Sequence, residues 1–205
     1  MAEPTVHVVD DDASFLNAMS RLLRASGYLA RTYCSAREFL AEPHGDEPGC
    51  VLVDLRMPDI GGLDLQAAIA QSRYPLPVLF LTGQADTAST VRAMRGGAED
   101  FLEKTAPKEL LLDAVRRAVA RSRHELEDRS RREELRARFA AISAREREVL
   151  EHVLRGRLNK QIAGDLGIHE RTVKVHRKSI MTKLSVRSVA ALAQLSQEAG
   201  LPVHS

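Results

Sequence analysis

Five residues of the first half of the chain stand where short apolar runs stop. Asp10 and Asp11 follow Thr5 to Val9, Asp54 follows Cys50 to Val53, Thr82 follows Pro77 to Leu81, and Lys104 follows Asp100 to Glu103. Three carboxylates, a hydroxyl and an ammonium make a coherent chemical set. Clustered carboxylates bind a hard divalent cation such as Mg²⁺ through oxygen. With the ion bound, Asp54 can act as a carboxylate nucleophile toward phosphorus, while the Thr82 hydroxyl and the Lys104 ammonium stabilise the transferred phosphoryl oxygens. The set reads as a phosphoryl-acceptor site, and it requires a fold that gathers residues far apart in sequence.

The pattern of elements supplies that fold. Val51 and Val53 are β-branched and bounded upstream by Pro48-Gly49, so the run ending at Asp54 reads as a buried strand. Thr5 to Val9, Tyr28 to Tyr33, Pro77 to Leu81 and Asp100 to Glu103 give four more strands. Between them Ser14 to Gly27, Ala36 to Leu40, the stretch from Gly61-Gly62 to Ile69, and Thr87 to Arg95 carry helical spacing, and a fifth helix starts at Pro107. Strands alternating with helices across short connections imply right-handed crossovers and a doubly wound parallel sheet. In such a sheet ligands bind at the carboxyl ends of the strands, where all five polar residues fall. Asp12 is placed to cap the first helix rather than to bind metal.

Composition narrows the class. The chain has 205 residues, 44% of them hydrophobic, and no apolar run near the roughly 20 residues of a membrane span. The N-terminus lacks the pattern of a signal peptide, which leads to an expected cytoplasmic location. Cys34 and Cys50 are too few for a disulfide framework. The net charge of +2 hides an asymmetry: residues 1–120 hold 12 basic against 17 acidic residues, the remainder 18 against 11. An acidic front and a basic back imply two domains, the second facing a polyanion.

Residues 121–134 contain one apolar side chain, Leu126, among alternating arginine and glutamate, and read as a partly helical connector. Beyond it, Ser143-Ala144-Arg145-Glu146 is a capping-box pattern opening a helix with Val149, Leu150, Val153 and Leu154 on its apolar face. A short helix over Lys160 to Leu166, a turn at Gly167-Ile168 and a helix from Glu170 to Leu184 follow, then a fourth helix from Ser185 to Glu198. In the third, Val173, Ile180 and Leu184 point inward, leaving Arg171, Lys174, Val175, Lys178 and Thr182 on the opposite face. Two short helices around a glycine turn, the second basic and exposed, form a helix-turn-helix. Its lysines suit guanine and phosphate oxygens in a major groove, and Val175 suits a thymine methyl.

Residues 5 to about 120 resemble the receiver domain of a two-component response regulator in the polar residues at the ends of the first, third, fourth and fifth strands. Glu146 to Leu150, Asn159-Lys160-Gln161-Ile162-Ala163, Leu166-Gly167-Ile168 and Thr172-Val173-Lys174-Val175-His176 closely resemble the LuxR-type DNA-binding domain. The combination is similar to the FixJ/NarL family. The resemblance implies a flavodoxin-like receiver over 1–120, a helical linker over 121–139 and an all-α four-helix DNA-binding domain over 140–205. It implies that a sensor histidine kinase phosphorylates Asp54, and that Asp11, Asp54 and the Arg56 backbone carbonyl ligate Mg²⁺, with Asp10 assisting through water. Thr82 and Phe101 take the switch positions. Base contacts come from Lys174, Val175 and Lys178, and phosphate contacts from Asn159, Lys160, Thr172 and Arg187. Phosphorylation is expected to produce a homodimer on promoter DNA.

Two positions depart from the family pattern. Thr105 follows Lys104 where the family places a proline joined by a cis bond, and a cis bond before threonine would cost about 3 kcal/mol. A trans bond there would be expected to shift Lys104 or the loop after it. His169 stands where the recognition helix commonly has a capping serine. An aspartyl-phosphate hydrolase is the enzymatic rival, but such enzymes place a second acid two residues after the nucleophile, and Arg56 stands there. The chain is therefore read as a regulator and not an enzyme. The remaining alternative is a DNA-binding regulator whose receiver serves only for interaction, without phosphorylation.

Overall fold

The computed structural model describes residues 3–44, 47–83 and 86–200; the outermost residues of both expected domains lie outside that range. Five strands, β1 (Thr5–Val9), β2 (Leu29–Tyr33), β3 (Gly49–Asp54), β4 (Val78–Thr82) and β5 (Asp100–Glu103), alternate with α1 (Ala13–Ala25), α2 (Ala36–Ala41), α3 (Gly62–Ala70) and α4 (Thr87–Arg95). All pairings are parallel and the order is β2-β1-β3-β4-β5. The order reverses between β1 and β3, which opens a crevice at their carboxyl ends. Asp10 and Asp54 flank it.

The sheet is buried on both faces, as its near-continuous apolar strands require. Val6, Val8, Leu52 and Leu79 pack with Leu16, Leu23, Leu111 and Val115 on one side. Val9, Val51, Val53 and Phe80 pack with Phe39, Leu65, Ile69 and Ala93 on the other. The first helix is capped as expected: Asp12 accepts hydrogen bonds from the amides of Ser14 and Phe15.

His7 is buried in a ring cluster with Tyr33, Phe39 and His44. The Tyr33 hydroxyl donates to Glu42 at 3.0 Å, so its oxygen is left to accept from His7 Nδ1 at 3.1 Å. Burial, reinforced by the charges of His44 and Arg31, lowers the His7 pKa to about 3. Unfolded, the same imidazole titrates near 6.5. Its neutral burial therefore favours the folded state fully above pH 6.5, and the contribution is lost as the pH falls from there toward 3. Denaturation of the chain at pH 7 and pH 5 should show a lower midpoint at pH 5. A His7→Gln variant with an equal drop would rule out His7 as its source.

Helix α5 (Lys108–Ala140) is continuous through the stretch expected to be a connector. The chain forms two compact units, 1–127 and 128–205, and their boundary falls inside this helix. In the first unit Ser122 is buried, and its Oγ accepts from the Gly49 amide at 3.1 Å. In the second, Leu135 and Phe139 join a core with Val149, Val153, Ile162, Val173 and Ile180. That unit holds α6 (Ala144–Leu154), α7 (Asn159–Leu166), α8 (Glu170–Lys183) and α9 (Val189–Glu198). The last helix starts later than expected: Ser185 takes a left-handed φ of 56°, and Ser188 caps α9 by accepting from the Ala191 amide. Among the described residues no helix is long and apolar enough to cross a membrane.

Candidate functional site

The sheet brings the five expected polar residues to one edge. Asp54 ends β3 with its carboxylate nearly buried, and the Arg56 amide donates to its Oδ1 at 3.4 Å, keeping the Arg56 main chain beside the acid. Asp10 is buried just after β1, and its Oδ1 accepts from the Asp12 amide at 2.9 Å. Lys104 follows β5, where its amide bonds to the Thr82 carbonyl at 2.8 Å. Its Nζ lies 2.6 Å from Asp10 Oδ2 and 3.1 Å from Asp54 Oδ2, and 4.6 Å from the centre of the Phe15 ring. Thr82 is buried at the end of β4, and the half-buried Phe101 ring sits 5.9 Å from that of Phe80.

The electrostatics follow from this packing. Burial pushes the Asp10 carboxyl up from its ordinary value, against the opposing pull of Lys104. Burial alone would lower the Lys104 ammonium, but contacts with Asp10 and then Asp54 outweigh it and leave the pKa raised. Lys104 is therefore a fixed cation. Carboxylate oxygens of Asp10, Asp11 and Asp54 lie within 4.8 Å of one another. Three acids against one ammonium leave a local excess of two negative charges, and an all-oxygen donor set fits a hard divalent ion. Every peptide bond described is trans, that between Lys104 and Thr105 included. With this bond trans, the Lys104 amide bonds to the Thr82 carbonyl and its Nζ reaches both Asp10 and Asp54.

In the second unit α7 and α8 meet at Gly167, whose φ of 64° is the left-handed conformation a tight helix-to-helix turn requires. Val173, Ile180 and Leu184 are buried, whereas Arg171, Lys174, Lys178 and Thr182 are exposed and Val175 is 60% exposed. Lys160 and Arg187 are exposed, Asn159 and Thr172 half-buried. Glu146 fastens α8 to α6. Its carboxylate accepts from the Ser143 amide at 2.8 Å, Ser179 Oγ at 2.6 Å and Lys183 Nζ at 2.7 Å.

Two family models match this chain: "Response regulator receiver domain" over residues 6–116 and "Bacterial regulatory proteins, luxR family" over residues 140–196. The chain belongs to the response regulators. The chain is 39% identical over 195 residues to the response regulator protein TmoT of Ectopseudomonas mendocina, covering 95% of this chain and 89% of TmoT. It is 38% identical to the transcriptional regulatory protein FixJ of Azorhizobium caulinodans, covering 96% and 93%. Among solved structures, the response regulator StyR matches with a TM-score of 0.86 at 41% identity, over 96% of this chain and all of the other. Full-length FixJ from B. japonicum matches with a TM-score of 0.59 at 33% identity, over 98% of each.

Two features of this response regulator were not found from sequence. In the sequence Glu146 belongs to a capping box and to the LuxR-type pattern, and the capping box is present, but its bonds to Ser179 and Lys183 depend on how α8 crosses α6. Leu158 is the second. It occupies the N-cap of α7, 70% exposed, with only the returning half of a capping box: its amide donates to Gln161 Oε1 at 2.9 Å, and leucine has no oxygen to offer in exchange. His169, at the N-cap of α8, makes no side-chain capping bond either, as its identity suggested. Leu158→Ser should stabilise the second unit by about 1 kcal/mol, raising its melting temperature by roughly 4–8 °C. Thermal unfolding that is unchanged or lower would show that an uncapped α7 costs nothing.

Proposed function

We propose that this response regulator takes a phosphoryl group on Asp54 from a sensor histidine kinase and, so modified, dimerises and binds promoter DNA to regulate transcription. The single observation that carries the reading is Lys104 Nζ lying within 3.1 Å of both Asp10 and Asp54 at the topological switch point of the sheet. Asp54 attacks phosphorus, the bond from phosphorus to the kinase imidazole breaks, and the imidazole leaves with its electron pair. Asp10, Asp11, Asp54 and the Arg56 carbonyl would hold Mg²⁺, which when bound supplies charge neutralisation to the incoming phosphoryl oxygens. Lys104 gives those oxygens a fixed positive partner, and the Thr82 hydroxyl gives them a donor. Turning toward the new group, Thr82 leaves space for the Phe101 ring to move inward, which carries the signal to the surface around α4 and β5. In the second unit Lys174, Val175 and Lys178 read bases while Asn159, Lys160, Thr172 and Arg187 grip phosphates. A dimer presents two recognition helices, so the second engages DNA at a raised effective concentration.

Intact mass after incubation with a small-molecule phosphodonor and Mg²⁺ tests the acceptor. The parent chain should gain about 80 mass units, one phosphoryl group, and the Asp54→Asn variant none. Equal gain in both would place the modification elsewhere. No gain from either donor or phosphorylated kinase would favour a receiver that works without phosphorylation.

A further inference from the structure

The second unit contains a cavity of about 410 Å³ between the end of α5, α6 and the end of α9, away from the exposed face of α8. Phe139, Ile142, Leu150 and Leu154 wall it. Its volume lies in the range of small-molecule sites, which are mostly apolar with a few polar groups that fix orientation. Three polar features stand out here. Ser196, which lines the cavity, is 1% exposed, and its Oγ has no hydrogen-bond partner among the described residues. Arg147 lines it too, with no ion-pair partner among the described residues. Arg136 contributes a guanidinium whose Nε donates to the Ala199 carbonyl at 3.4 Å, again without a carboxylate partner among the described residues. Glu151 is the one acid among the described lining residues, which together carry a net positive charge.

A buried hydroxyl left without a partner is costly, and so is an apolar hollow left unfilled. We propose that this cavity binds a free amphipathic monocarboxylate, its apolar body against Phe139 and Leu150 and its carboxylate paired with Arg147 and Arg136. A planar carboxylate suits a guanidinium through two parallel hydrogen bonds, and the Ser196 hydroxyl can donate one more. The cavity holds a chain of about eight carbons with room for its head group. The site goes beyond phosphorylation and DNA recognition: it lies in the unit that carries the helix-turn-helix and would let a metabolite adjust that unit directly.

Calorimetric titration of the full-length chain with octanoate, 1-octanol and octylammonium tests this. Octanoate should bind one to one with a dissociation constant of about 0.1–1 mM, and the alcohol and amine at least tenfold more weakly. Arg147→Ala, a change at an exposed side chain, should weaken octanoate about tenfold, and Ala140→Trp, which fills the cavity from its rim, should abolish binding. Absence of heat with octanoate overturns the proposal. So does equal binding of the alcohol, which would remove the arginines' role, and so does undiminished binding to both variants, which would mean adsorption elsewhere.

Discussion

Gly62→Ala should cost the receiver unit about 2–4 kcal/mol and disable Asp54 in its proposed role as acceptor. A β-carbon on Gly62 would stand 2.4 Å from the Asp54 carbonyl oxygen, 3.0 Å from the Phe80 ring and 3.1 Å from the Leu55 α-carbon. Two of these neighbours are backbone, and Phe80 is fully buried in a packed core, so none can retreat cheaply. The Gly62 amide also bonds to the Leu55 carbonyl at 3.1 Å, which seats the start of α3 against the end of β3. A displaced Asp54 would break its alignment with Lys104. Calorimetry should place the receiver transition about 10 °C lower, with phosphoryl uptake much reduced. Melting within 2 °C of the parent would show that α3 can shift without loss.

The second large effect belongs to Glu146. Glu146→Gln should destabilise the DNA-binding unit by about 2 kcal/mol, because the amide keeps the shape but forfeits the charged bonds to Lys183, Ser179 and the Ser143 amide. Contacts with Lys183, then Ser179, then the Ser143 amide lower the Glu146 pKa to about 2. A carboxyl depressed in the folded state stabilises it above the unfolded value near 4.5, and that contribution disappears as the pH falls from 4.5 to 2. The parent unit should therefore lose stability across this window more steeply than Glu146→Gln. Parallel curves would assign the acid sensitivity to other groups. DNA affinity should fall in the variant too, since the same carboxylate anchors the helix that carries Lys174 and Lys178.

The sequence was most informative where a single element carried its own pattern. The run from Val51 to Asp54, the acids after Val9 and the glycine turn at Gly167 are local signals, and the alternation of strands and helices yields a parallel, doubly wound sheet by rules of connection. The gathering of Asp10, Asp54 and Lys104 was legible because every strand end in a parallel sheet faces the same edge. What stayed hidden depends on pairs distant in sequence. Nothing near Ser122 indicates that it accepts from the Gly49 amide, 73 residues away. The ring cluster around His7 needs β1, β2 and α2 in place before it exists. Leu135 and Phe139 sit in a charged stretch whose single inward side chains are too sparse to announce a buried face. The effect of Thr105 was no more legible: its identity pointed to a trans bond but not to the Lys104 amide bonding to the Thr82 carbonyl, which needs β4 and β5 side by side.

Helix α5 has a practical consequence for anyone cutting this chain in two. A receiver fragment ending at residue 120 would lose Ser122 and leave the Gly49 amide without its acceptor, at the opening of the strand that ends in Asp54. A DNA-binding fragment beginning at residue 140 would lack Leu135 and Phe139 from its core. Each excision site that looks safe from the charge pattern removes part of an interior, so a fragment that behaves poorly reports on the scissors and not on the domain. A severed chain keeps both interiors whole when the break falls near Glu127, where the two compact units divide.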